Sequence, residues 1–193
     1  MNLSEDELQA LWKMYKKRQL PETYHYVLRH FLFMCFTGIR ISDLMALTFD
    51  GIIADTLFYF PVKTRGRTKR AAKVPLNKYA KQLIADEGRS AGKVFSMISE
   101  QRMNMKLKDI ALGAKISKRI TNHSARHTFA TTWLAQTHDL AALQKLLGHS
   151  KIADTMKYVH ITDDMLRSQM KAFEKSVFKK KKDKKNPGSS EPG

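Results

Sequence analysis

Between Tyr24 and Phe36 the chain is apolar on nearly every side of a helix. Such a helix cannot lie on a surface and has to be covered all round. The segment therefore predicts a central buried helix. Gly38 is its expected stop, because a residue without a Cβ suits the left-handed turn that closes helices. The remaining chain must supply the cover. With 193 residues, one domain with a sizeable core is expected rather than two.

An amino-terminal helix is expected to open that cover. Ser4 and Glu7 have capping-box spacing, and Leu3 and Leu8 have the spacing of a hydrophobic staple. Leu8, Leu11, Trp12 and Tyr15 continue as a helical stripe, which Pro21 stops. Ser42 is placed to cap a short third helix through Leu47. The pattern then changes. Gly51–Ala54, Leu57–Lys63 and Ala71–Leu76 have strand-like composition, with Asp55 and Thr56 as a turn and Thr64–Arg70 as a short basic connection. Helical signals resume over Asn77–Ala85, Ser99–Leu112, Ser124–Gln136 and Asp139–Leu147, the last closed by Gly148, and over a short stretch from Ser150 to Tyr158. A final amphipathic helix follows Thr162, with Leu166, Met170, Phe173 and Val177 at helical spacing. The expected fold is mainly α with one small antiparallel β-sheet, over residues 1–178. The run KKKKDKKNPGSSEPG at 179–193 reads as a disordered basic tail.

Charge narrows the partner. Lys and Arg total 35 against 18 Asp and Glu, a net +17. From Lys175 onward seven Lys face Asp183 and Glu191, so the body keeps +12 without its tail. A basic folded body points to a polyanion, of which nucleic acid is the commonest. No stretch approaches the roughly 18 apolar residues of a membrane span. The amino terminus has neither the basic nor the apolar region of a signal peptide, so a cytoplasmic protein is expected. Cys35, the single cysteine, lies in an apolar run and reads as a buried, inert thiol. It excludes an internal disulfide and a cysteine-based zinc cluster. A second basic stretch, Arg102 to Arg119, reads equally as a solvated helix face or as a surface along a duplex.

Arg40, His123, Arg126, His149 and Tyr158 each have an ordinary structural explanation when taken alone. Their arrangement is more specific. TGIRISDL is followed by a basic hairpin ending in VPL, then NHSARHTFAT, then LLGHS, then Tyr158 nine residues after His149. In residues, order and spacing this resembles the tyrosine recombinase and phage integrase family, over about Ser4 to Phe178. The chemistry is consistent with that. Transfer of a phosphodiester needs charge stabilisation at its non-bridging oxygens, which paired guanidiniums supply through bidentate forks.

The resemblance implies a role for each residue. Arg40 and Arg126 are the phosphate-binding pair. His123 helps take the tyrosine proton, His149 hydrogen-bonds the phosphate, and Tyr158 is the nucleophile. Asp43 matches the acidic residue that supports the first arginine; a helix-stabilising ion pair is the other reading. In the family a hairpin lysine protonates the departing 5′ oxygen. Lys63 matches its usual Lys-Thr start, but it lies twelve residues before Pro75. That interval is longer than in many relatives and lets Lys69 compete. Arg65, Arg67, Arg70 and Lys73, with Lys69 if it is not the acid, read as contacts to backbone phosphates of double-stranded DNA.

The implied reaction is two transesterifications through a 3′-phosphotyrosyl link. The link conserves the bond energy, so no ATP or other cofactor is expected, nor a metal if the cationic side chains do its work. The family also implies a homo-tetramer on DNA, a bacterial, nucleoid-associated setting, and an amino-terminal core-binding domain that this chain is expected to lack. Competing readings are a type IB topoisomerase-like strand relaxer, a non-catalytic DNA-binding domain and a generic RNA-binding protein.

Overall fold

A computed structural model of the protein describes residues 2–62, 71–159 and 163–177. Lys63, Arg65, Arg67, Lys69 and Arg70 lie outside the described residues, as does the tail at 179–193. The chain divides into two compact units, Met1–Val159 and His160–Gly193.

The first unit is organised around α2 (Glu22–Thr37), in which every residue from Val27 to Cys35 is buried. Around it pack α1 (Glu5–Lys17), α4 (Lys78–Ala85), α5 (Glu100–Gly113) and α6 (Asn122–Thr137). The apolar pattern thus marks the central element as expected. Three of its buried residues are polar: Thr37 donates back to the Phe33 carbonyl within the helix, and Arg29 and His30 reach tertiary partners. Arg29 donates to the Leu83 carbonyl, pairs with Glu87 and lies over the Phe95 ring. His30 sits between the carbonyls of Tyr26 and Ser96. Cys35 is buried, and burial pushes its thiol pKa up.

The entry signal of α1 forms as read. Ser4 Oγ accepts from Glu7 N–H, Glu7 accepts from Ser4 N–H, and Leu3 is buried. Leu3 N–H also donates to Thr128 Oγ1 at 2.9 Å, tying the start of the chain to α6. The helix ends at Lys17, with Arg18 in the left-handed region, a few residues before Pro21.

A three-stranded antiparallel sheet has the order β1 (Ile52–Ile53), β2 (Thr56–Tyr59), β3 (Ala72–Pro75). The turn between β1 and β2 lies at Ala54 and Asp55, both at positive φ. Thr56 already pairs with Pro75, so the expected turn is one residue too late. The hydrogen-bonded part of β2 stops at Tyr59, short of the expected Lys63.

Other boundaries differ for local reasons. Ser42 does not cap α3 (Ile41–Ala46); Arg40 occupies the cap position, and no side chain caps that end. The cap of α6 is Thr121, whose N–H donates to Ser124 Oγ. Ser124 is therefore the partner inside the first turn rather than the start, and His123 lies within the helix. Downstream come α7 (Leu140–Leu147) and a short α8 (Ala153–Met156). The expected helix from Ser150 to Tyr158 is thus reduced to one turn. In the second unit α9 (Asp163–Val177) carries Leu166, Met170 and Phe173 on its exposed surface.

Candidate active site

Two helix ends and one helix interior create the site. Gly38 closes α2 at φ +69°, and a Cβ there would stand 2.5 Å from a Phe129 ring carbon. Glycine is thus required both for the backbone angle and for the approach of α6. This turn leaves the Gly38 carbonyl free of the helix. Gly148 closes α7 at φ +64° and leaves the Leu147 carbonyl similarly available. Arg126, in the second turn of α6 and only 7% exposed, donates to both. Its Nη1 reaches the Gly38 oxygen and its Nη2 the Leu147 oxygen, each at 2.7 Å. Two backbone acceptors therefore set the plane of the guanidinium.

The same Nη2 lies 2.9 Å from His149 Nε2. His149 follows directly on Gly148, and its backbone is held by a bond from its N–H to the Gln144 carbonyl. Burial first, then the charges of Arg126 and Arg40, lowers its pKa to about 4, so the ring is neutral near pH 7. Arg126 has its own pKa lowered, first by burial and then by Arg40. The Arg40 effect places the two guanidiniums in each other's field. A dianionic or anionic oxygen group between them would relieve that repulsion.

Asp43 links Arg40 to the sheet. Its side chain is fully buried, with Oδ2 3.9 Å from Arg40 Nη1. Oδ1 accepts the N–H of Val62 at 2.7 Å. Val62 is the last described residue before the segment containing Lys63, and the neighbouring Pro61 lies beside Gly148. Asp43 thus combines the ion pair with a backbone clamp. Burial raises its pKa, opposed by the Val62 hydrogen bond and by both arginines.

Tyr158 is 7% exposed, and its ring belongs to a small apolar cluster with Ala130, Leu143 and Leu147. Its N–H donates to the Thr155 carbonyl at 3.1 Å. Its hydroxyl end lies within the electrostatic field of the Arg126 guanidinium. The ring lies parallel to His149, with centroids 6.4 Å apart. Tyr59 also lies in the field of Arg126, Arg40 and Asp43. Burial, with Asp43 adding to it, pushes its pKa up to about 12, which disfavours its phenolate.

The structure brings Arg40, Asp43, Arg126, His149 and Tyr158 together. His123 is on the first turn of α6 and exposed. The imidazole packed on Tyr158 is His127, one turn further along, edge to face at 5.0 Å between centroids. Lys73 is exposed on β3, over the Phe58 ring. Among the described residues, no group of His, Cys, Asp or Glu is arranged to hold a metal ion. Sequence reasoning missed His127, Tyr59 and Thr155, the partner of His149 Nδ1 at 2.9 Å. The four-residue spacing of His123 and His127 puts both on one helix face and was the available signal for the first. Tyr59 and Thr155 carry no such signal.

Residues 1–165 match the phage integrase family. The chain belongs to the phage integrase family. A relative within it is the tyrosine recombinase XerC of Bacillus subtilis strain 168, 27% identical over 169 residues. That match covers 75% of this chain and 52% of XerC, and the chain spans about half the length of the curated relatives it matches. The catalytic domain of bacteriophage HP1 integrase has the same fold, with TM-score 0.64 and 22% identity, covering 88% of this chain and 93% of that domain. XerH site-specific recombinase bound to its difH substrate aligns with TM-score 0.66 and 16% identity, over 89% of this chain and 54% of XerH. The fold is therefore that of a phage integrase family catalytic domain, mostly helical with a small antiparallel sheet.

Proposed function

We propose that this chain is the catalytic domain of a site-specific DNA recombinase that cuts and rejoins DNA through a 3′-phosphotyrosyl intermediate. The observation that carries the reading is the convergence of Arg40, Arg126, His149 and Tyr158 on one place, with Arg126 locked by two backbone carbonyls. Preorganised cations at a phosphate are worth most where water is excluded, because they need no reorganisation as charge develops. In this reading the guanidiniums hold the non-bridging oxygens and His149 assists them. Tyr158 attacks phosphorus as its proton is taken up with help from His123. The 5′ oxygen leaves with a proton from Lys63, with Lys69 as the competing donor. Arg65, Arg67, Arg70 and Lys73 hold the backbone of double-stranded DNA. Attack by the 5′ hydroxyl of another strand reverses the step, so no cofactor is consumed.

The whole protein is proposed to act as a homo-tetramer on DNA, in the bacterial cytoplasm and associated with the nucleoid. Residues 1–178 are proposed as the catalytic domain. Among the described residues no helix is long and apolar enough to cross a membrane.

The test uses nicked duplexes drawn from the DNA on either side of the gene. Once the short product diffuses away, a covalent protein–DNA adduct accumulates and survives denaturing electrophoresis. Tyr158→Phe is expected to abolish the adduct and to leave DNA affinity within about twofold, because the hydroxyl is the nucleophile and adds little binding. An adduct formed by Tyr158→Phe would transfer the nucleophile's role to another residue.

A further inference from the structure

Tyr158 stands near the end of the first unit, just beyond the single turn of α8. Its N–H is held by the Thr155 carbonyl, and that of Val159 by Met156. Such turn bonds fix the backbone but not the direction of the side chain. The hydroxyl oxygen of a tyrosine lies on the axis about which its ring flips, so flipping leaves the oxygen in place. What moves it is the swing of the whole ring about χ1. The groups against the ring limit that swing. Ala130, Leu143 and Leu147 offer aliphatic contacts, which have no preferred angle. His127 offers a directional one. Its imidazole meets the Tyr158 ring at 72° with centroids 5.0 Å apart, within the edge-to-face range of aromatic pairs. His149 lies parallel to the Tyr158 ring at the longer distance of 6.4 Å.

His127 follows Arg126 directly in α6 and shares a helix face with Ala130, three residues on. The helix that carries the Arg126 guanidinium thus also carries two neighbours of the Tyr158 ring. We propose that His127 is a positioning residue, which as an aromatic ring holds Tyr158 edge to face and keeps its hydroxyl aimed at the place that Arg126 defines. The proposal rests on the recombinase reading above. Proton uptake is the other task open to an imidazole here. It needs an imidazolium, which burial first and then the surrounding positive groups, Lys157 and Arg126 among them, oppose at His127. A misplacement of about 1 Å can cost ~10²-fold in rate, so holding the ring bears on bond formation. DNA affinity, spread over many lysines and arginines, is largely spared.

Two substitutions separate the aromatic ring from its nitrogens. His127→Phe keeps a ring and removes both nitrogens, whereas His127→Leu keeps bulk and removes the ring. The order of the Tyr158 ring is read by 13C relaxation of the full chain, labelled in its tyrosine rings and free of DNA. Its signal is identified by its loss in Tyr158→Phe. His127→Leu is expected to lower the Tyr158 order parameter, and His127→Phe to keep it at the wild-type value. On the nicked duplex that yields an adduct, His127→Leu is expected to cleave about tenfold more slowly, with duplex affinity within about twofold. His127→Phe is expected to restore the rate to within about twofold of wild type. If His127→Leu does not fold, His127→Gln removes the ring in its place. A Tyr158 ring as ordered as in wild type, or a rate as fast, in the variant without the ring overturns the proposal. So does a His127→Phe variant as slow as His127→Leu, because the nitrogens and not the aromatic ring would then be needed. Failure of every duplex to give an adduct with the wild-type chain would count against the recombinase reading, while the relaxation data would still decide whether His127 holds the ring.

Discussion

Arg126 holds a positive charge where burial opposes it, and the fold answers with two carbonyls and an imidazole nitrogen. Lysine has the charge but not the planar fork that can reach these acceptors and a phosphate together. Arg126→Lys is expected to slow adduct formation by about 10²- to 10³-fold, the scale of losing one preorganised donor. Single-turnover rates on the nicked duplex would measure it, and a rate near wild type would remove the need for the fork. The histidines make a second prediction. Burial lowers the pKa of both His30 and His149 to about 4, from 6.5 for an ordinary imidazole. His25 and His127 shift the same way, again chiefly through burial. Depressed values mean that the unfolded chain binds protons that the folded chain refuses. Stability should therefore fall as pH drops from about 6.5 towards 4, and this contribution should level off below that. Melting temperatures at pH 7 and pH 5 test this, with the lower value expected at pH 5; equal values would contradict neutral buried imidazoles.

At the scale of elements, helix ends do most of the positioning. The Gly38 and Gly148 turns release the two carbonyls that grip Arg126, but their surroundings differ. A Cβ at Gly38 would overlap Phe129 and Leu147, whereas at Gly148 the nearest atom is Pro61 Cγ at 3.9 Å. Gly148→Ala should cost only the left-handed backbone penalty, about 1–2 kcal/mol. Gly38→Ala should cost about 1–3 kcal/mol more through overpacking. Denaturant titrations of the two variants would establish the order, and equal losses would mean that Phe129 moves aside freely. Elements were legible where their signals are local. The Ser4–Glu7 box, the Asn77 cap of α4 and the Ser99 cap of α5 all form. Ser42 misled because Asp43 is drawn down to Val62 and Arg40, and α3 starts two residues earlier than a Ser42 cap would allow.

For the whole molecule the governing quantity is charge. With duplex DNA as the proposed partner, a net +17 on 193 residues makes phosphate contacts and counterion release the expected main source of affinity. With ~6 such contacts, log K against log salt should fall with a slope of about −5. Anisotropy titrations of a labelled duplex over a range of salt concentrations would give the slope. A slope near zero would argue against duplex DNA as the partner.

Motif order, the glycine stops, the caps and the central apolar segment were all determined within short stretches of sequence. They depend on backbone angles, helical period and hydrogen bonds that span a few residues. They sufficed for the fold class, and the resemblance carried by motif order singled out Arg40, Asp43, Arg126, His149 and Tyr158, whose roles are proposals. The tertiary structure decided what those residues touch. Gly38 and Arg126 are 88 positions apart, and only the packing of α6 on α2 brings guanidinium to carbonyl. The same packing turns His127 rather than His123 against Tyr158 and buries the Tyr158 ring among Ala130, Leu143 and Leu147. It also places Thr155 under His149. No periodicity encodes such contacts, because they follow from the distance and rotation between separate elements, which the whole core sets at once.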